Sequence, residues 1–192
     1  MNPPPLVLAS SSPRRFDLMR EAGLEFQVMA AQVEEEHDDR APLDILTRAN
    51  AVLKASWVAD HRPDQWVIGA DTLVTIDDQA LGKPADMDGA RRMLAMLSGR
   101  THEVVTAVCL MHKNLDRRHE FQEITRVTFL PLTGPQIDNY LALINPLDKA
   151  GAYAAQEHGE KIIASVEGSW SNVVGLPMER LMETLQNTGI AS

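Results

Sequence analysis

The sequence predicts an α/β fold. Short apolar or β-branched runs alternate along the chain with stretches whose apolar residues recur at three- and four-residue steps, the pattern that interleaves strands with helices. The 192 residues are 44% hydrophobic and 23% charged, an ordinary globular composition. A chain of this length buries about 70% of its surface, so one sizeable core and a single domain over residues 1–192 are expected.

Taken in order, residues 6–9 read as a short buried strand. Ser12, Pro13 and Gly23 then supply the N-cap, first turn and stop of a helix over residues 14–23. Residues 26–33 form a second apolar run that ends in acidic residues, and Leu46, Ala49, Leu53 and Trp57 mark a helix over residues 42–59. Residues 65–76 are strand-like, Asp77, Asp78 and Gln79 make a turn, and residues 86–97 form a helix closed by Ser98 and Gly99. Residues 101–112 and 120–130 are β-branched strands on either side of a polar connection that closes a hairpin. A helix over residues 133–144, a loop over 145–159, a strand over 161–166 and a helix over 177–185 complete the chain.

The charge balance narrows the ligand classes. With 18 basic against 27 acidic side chains, the net charge is −9, which argues against a nucleic-acid polymer as partner, since such proteins carry broad basic surfaces. A small anion would need positive charge gathered locally. The single cysteine, Cys109, excludes an internal disulfide framework and multi-thiolate metal sites and fits a reducing, cytoplasmic setting. No membrane partner is expected, because no run of 18 apolar residues occurs and the N-terminus has no signal-peptide pattern.

Four features carry chemistry. The SSSPRR stretch (residues 10–15) places serine hydroxyls, helix-start N–H groups and the adjacent Arg14 and Arg15 together, a cradle suited to phosphate; the alternative is a capped helix with exposed arginines. Asp71 lies inside the apolar run WVIGADTLVTI, where a buried carboxylate needs a cation. Gly69, two residues earlier on the same face, leaves room for a ligand; the alternative reading of Asp71 is a strand-end turn cap. The acidic run Glu34, Glu35, Glu36, Asp38 and Asp39 is either a solvated loop or a source of oxygen ligands that join Asp71 around Mg²⁺ or Mn²⁺. Lys54, Lys83 and Lys149, each beside small residues, would add to a local positive field or would be plain surface lysines. Rossmann, P-loop and GxSxG signatures are absent, the six histidines show no metal-ligand spacing, and Cys109 reads as buried filler.

Seven segments in this order, LASSSPRR, the acidic run, IGADT, LGKP, LSGRTHEVVTAV, PLDKAGAYAAQ and NVVGLP, resemble the Maf family of nucleoside triphosphate pyrophosphatases. The resemblance implies an elongated Maf/ITPase-like α/β fold, with a central mixed sheet and two lobes around a deep cleft, usually homodimeric. It implies metal-dependent cleavage of a nucleoside triphosphate to the monophosphate and pyrophosphate. Asp71 matches the catalytic position, Ser10, Arg14, Arg15, Lys54 and Lys83 match phosphate-binding positions, and Glu35 and Glu34, with Asp71, match positions that hold the divalent metal. Arg14, Thr72 and Gln156 match the three positions that distinguish members acting on dTTP and UTP. An acidic residue in place of Gln156 is the mark of members resembling 7-methyl-GTP pyrophosphatases, whereas the Gln amide both donates and accepts, as a pyrimidine carbonyl and N–H require. Ala154, Ala155, Glu157 and Trp170 depart from the family pattern. The competing readings are house-cleaning of modified pyrimidine triphosphates with dTTP and UTP as secondary substrates, a 7-methyl-GTP pyrophosphatase, and a non-catalytic nucleotide-binding regulator of cell division.

Overall fold

Leu6, Val7 and Leu8 are apolar in succession and all buried in strand β1 (Leu6–Leu8), as a strand covered on both faces requires. A computed structural model describes residues 6–36, 42–77 and 79–190 of the chain. Helix α1 (Pro13–Glu21), strand β2 (Phe26–Val28), helix α2 (Leu43–His61) and strand β3 (Val67–Ile76) follow β1. Both β2 and β3 run parallel to β1, in the registers Leu8↔Val28 and Leu8↔Ile68, so α1 and α2 are the crossovers that parallel pairing needs.

Strand β4 (Gln79–Leu81) folds back antiparallel on β3. Helix α3 (Met87–Leu97), strands β5 (Thr101–His112) and β6 (Arg117–Phe129), helix α4 (Gly134–Leu141), strand β7 (Ile163–Glu167) and helices α5 (Trp170–Val174) and α6 (Met178–Asn187) complete the order. The sheet is mixed and seven-stranded, in the order β2-β1-β3-β5-β6-β7 with β4 beside β3; β7 is antiparallel to β6.

The chain forms two compact units. The first contains the described residues up to Asp71, Thr106–Glu123 and those from Gly175. Side-chain alternation splits its core in two. Leu6, Leu8, Ile68 and Ala70 pack with Met19 of α1 and Leu181 and Leu185 of α6, while Val7, Ala9 and Val67 pack with Ala51, Ala55 and Val58 of α2. Helices therefore cover both faces of these parallel strands.

The second unit comprises Thr72–Val105 and Ile124–Val174. Ala90, Leu94 and Leu97 form the buried stripe of α3 and meet Val74, Ile76, Val104, Phe129 and Tyr140. Asp86 caps α3 by accepting from Gly89 N–H at 2.6 Å. His102 lies edge-on to Phe129 and Tyr153, its Nε2 is 2.9 Å from the Tyr153 hydroxyl, and burial pushes its pKa down to about 4.

Several boundaries differ from the sequence expectations. The strand expected over residues 26–33 ends at Val28, and β6 begins at Arg117. Strand β4, of which the sequence places only Gln79 in a turn, and helix α5, for which it gives no element, hold three and five residues, too short to show a period. The expected loop over residues 145–159 holds 3₁₀ turns at Pro146–Asp148 and Ala150–Ala152. Ser12 occupies the N-cap of α1 without a side-chain capping bond; its N–H instead donates to Ser10 Oγ at 3.2 Å. Asp38, Asp39 and Asp78 lie outside the described residues. Among the described residues no helix is long and apolar enough to cross a membrane.

Candidate active site

In the first unit the ends of β1 and β3 lie side by side, with Ala9 N–H donating to Ile68 O at 2.8 Å. The turn into α1 therefore starts beside Ala70 and Asp71. Arg15, in the first turn of α1, is buried and reaches across this turn. Its Nε donates to Gly175 O at 2.8 Å, and its Nη1 donates to Ala70 O at 2.9 Å and Ser10 Oγ at 3.3 Å. These bonds tie SSSPRR to IGADT and to the glycine of NVVGLP. Burial lowers the Arg15 pKa, the Asp71 carboxylate opposes that shift, and the charge of Arg14 adds to it.

Asp71 is 5% exposed and sits on the β3 face that α2 covers. Its Oδ1 accepts from Lys54 Nζ at 2.7 Å, and the same ammonium lies 2.8 Å from Glu35 Oε1. Lys54 thus answers the need for a cation at Asp71 and joins two segments that the sequence separates. The space at Gly69, read from sequence as room for a ligand, is filled by the backbone of α2. A Cβ at this position would stand 2.3 Å from Ala51 O and 2.7 Å from Ala55 N. The glycine lets α2 close on β3, and that approach delivers Lys54 to Asp71.

Asn50, which the sequence reading passed over, organises the acidic segment. It is 3% exposed, one helical turn before Lys54. Its Oδ1 accepts from Glu36 N–H at 2.8 Å and its Nδ2 donates to Glu36 O at 3.1 Å. An asparagine inside a helix is a poor helix former whose amide competes for backbone partners, and that was the available signal. Among the described residues of the acidic run, Glu35 is brought to Lys54, while Glu34 is exposed.

Glu35 and Asp71 offer hard oxygen donors that converge on one cation position, here taken by the Lys54 ammonium. Among the described residues no group of three or more His, Cys, Asp or Glu side chains gathers in a metal-holding arrangement. Two carboxylates suit Mg²⁺, which is commonly held by one or two carboxylates plus ligand phosphates. The donor set fits a Mg²⁺ or Mn²⁺ ion shared with a phosphate ligand.

Thr72, Lys83 and Gln156 belong to the second unit. Thr72 follows Asp71 on β3 and points to the opposite face. Lys83 and Gln156 are exposed, and the Gln156 amide Nε2 donates to Glu157 Oε1 at 3.4 Å. Gly151 N–H donates to Gly82 O at 3.1 Å, so the LGKP and KAGAY turns meet. Lys149 is buried, its ammonium donating to Asn145 O at 2.8 Å and to Asp148 Oδ1 at 2.9 Å; it holds the KAGAY turn. Cys109 is buried in the first unit, and burial pushes its thiol up to about 12, which suits packing and not nucleophilic work.

The family model for Maf-like proteins matches residues 5–188 of the chain. A protein of Akkermansia muciniphila named dTTP/UTP pyrophosphatase is 45% identical over 190 residues, covering 97% of each chain. One of Bacillus cereus strain Q1 with the same name is 42% identical over 185 residues, covering 96% of each. Among solved structures, the Staphylococcus aureus Ham1 protein superposes with a TM-score of 0.54 at 14% identity, covering 95% of this chain and 98% of the other, a likeness of fold alone.

Proposed function

The chain belongs to the Maf-like protein family, and on that premise we propose that it hydrolyses dTTP and UTP to the nucleoside monophosphate and pyrophosphate. One observation carries this reading: identity of 42–45% over nearly the whole chain to proteins named dTTP/UTP pyrophosphatase. Arg14, Thr72 and Gln156 agree with it, being the residues expected of members that act on these nucleotides. We place the reaction in the cytoplasm, the reducing setting that a chain with a single cysteine fits.

In the proposed mechanism a water oxygen attacks the α-phosphorus, and the P–O bond to the bridging oxygen breaks. The bonding electrons leave with pyrophosphate, and the water proton passes to the Asp71 carboxylate. Asp71 sits within bonding distance of Lys54, so the base is held in one orientation before substrate arrives. Ser10, Arg14 and Lys54 of the first unit neutralise the triphosphate, and Arg15 supports the turn that carries Ser10 and Arg14. Glu35 and Asp71, with Glu34 next to Glu35 in sequence, would hold Mg²⁺ or Mn²⁺. When bound, that ion supplies charge neutralisation across the phosphates. Gln156 selects the base through an amide that both donates and accepts.

The test is pyrophosphate release from dTTP, UTP, CTP, GTP, ATP, 7-methyl-GTP and methylated pyrimidine triphosphates, with Mg²⁺ or Mn²⁺ and with chelator. Release from dTTP and UTP that stops on chelation is expected. Release chiefly from 7-methyl-GTP would overturn the base assignment, and none from any nucleotide would overturn the enzymatic reading.

A further inference from the structure

From the end of β2 to Glu36 the described chain has no regular secondary structure. The last backbone bond from this stretch to the sheet is Met29 N–H to Leu8 O, at 3.1 Å. Asn50 ties the residue after Glu35 to α2: both ends of its buried amide are committed to the N–H and C=O of Glu36, at 2.8 and 3.1 Å. This is the hydrogen-bond pair that a neighbouring strand would offer, supplied instead by one side chain. Its consequence falls on the preceding residue. With Glu36 fixed, Glu35 reaches the Lys54 ammonium at 2.8 Å, one turn along the same helix.

We propose that Asn50 is a positioning residue for divalent-metal binding, acting through Glu35: its amide clamps the Glu36 backbone to α2 and so holds the Glu35 carboxylate at the Lys54–Asp71 pair. The inference rests on the assignment of Glu35 as a metal ligand. Residues that orient metal ligands set affinity without touching the metal or the reacting atoms, and their loss weakens metal binding by about 10–100-fold. Asn50 thereby governs how much metal the enzyme needs and leaves the chemical step to Asp71.

The experiment measures Mn²⁺ binding to the nucleotide-free protein by electron paramagnetic resonance and, separately, kcat and KM for dTTP as Mg²⁺ is varied. The variants are Asn50→Leu, Asn50→Ala, Glu35→Gln and the Asn50→Ala, Glu35→Gln double substitution, with thermal unfolding recorded for each. The smaller alanine keeps the test open if leucine is not accommodated. Asn50→Ala is expected to weaken Mn²⁺ binding about tenfold or more, raise the Mg²⁺ needed for half-maximal activity in step, and recover kcat near the parent value at saturating Mg²⁺. On the Glu35→Gln background it should add little. Unchanged Mn²⁺ affinity in Asn50→Ala while Glu35→Gln loses affinity would overturn the role of Asn50 alone. Unchanged affinity in Glu35→Gln would overturn the ligand assignment on which it rests.

Discussion

At the scale of single residues, the candidate site is organised by which carboxylate shares which cation. Lys54 faces both Asp71 and Glu35, and Arg15 lies close enough to Asp71 for that carboxylate to favour its charged form. Asp71→Asn keeps the shape and removes the proton acceptor. Turnover of dTTP should fall by about 10²-fold or more, while nucleotide binding, measured by calorimetry, should survive because the basic residues remain. Turnover at the parent level would exclude Asp71 as base. Asp71 was legible in the sequence because a carboxylate inside an apolar strand is costly without a partner. Its partner was less so: Lys54 is one of several lysines near small residues, and only the fold decides which one meets Asp71.

At the scale of elements, the contact of α2 with β3 is decisive. Gly69 faces Ala51 O and Ala55 N at distances a Cβ cannot share, so Gly69→Ala must push the helix outward. The expected cost is about 1–3 kcal/mol in urea unfolding. Displacing Lys54 by even 1 Å should lower kcat/KM by about 10²-fold. A Gly69→Ala protein with parental stability and activity would show that the close approach is not needed. Helix α2 itself was readable from its apolar period, and so was the glycine. What the glycine accommodates was not, because an empty Cβ position serves a helix backbone and a ligand equally well until the neighbour is seen. Strands of ten or more residues, β3, β5 and β6, announced themselves by alternation and β-branching. Strand β4 and helix α5 end before a period is established.

At the scale of the whole molecule, stability is tied to pH through a buried histidine. His102 lies in the second unit against Phe129 and Tyr153, with its pKa lowered from 6.5 to about 4 by burial. Between those values the unfolded chain binds a proton that the folded chain does not, so stability rises with pH across this window and is lost as pH falls through it. The loss between pH 7 and pH 5 should be about 2 kcal/mol. Urea titrations at both pH values check this. Replacing His102 by Gln should lower stability at pH 7 and reduce the difference between the two pH values; an undiminished difference would assign the acid sensitivity to other groups. The histidine was visible in sequence only as one of six, since burial, not residue type, sets its charge.

The α/β class, the order of the main elements and the family were legible in the sequence alone, and it singled out Asp71, Arg14, Thr72 and Gln156 as candidates, because these readings rest on local period, turn chemistry and ordered motifs. The tertiary structure alone decided that Lys54 bridges Asp71 to Glu35, that Asn50 anchors Glu36, that Arg15 ties SSSPRR to β3 and Gly175, and that Lys149 is buried in its own turn. Each of those contacts joins residues through the packing of separate elements or the closing of an irregular turn. Spacing along a chain records neither the distance between two packed backbones nor the partner that a charged side chain selects when it is buried.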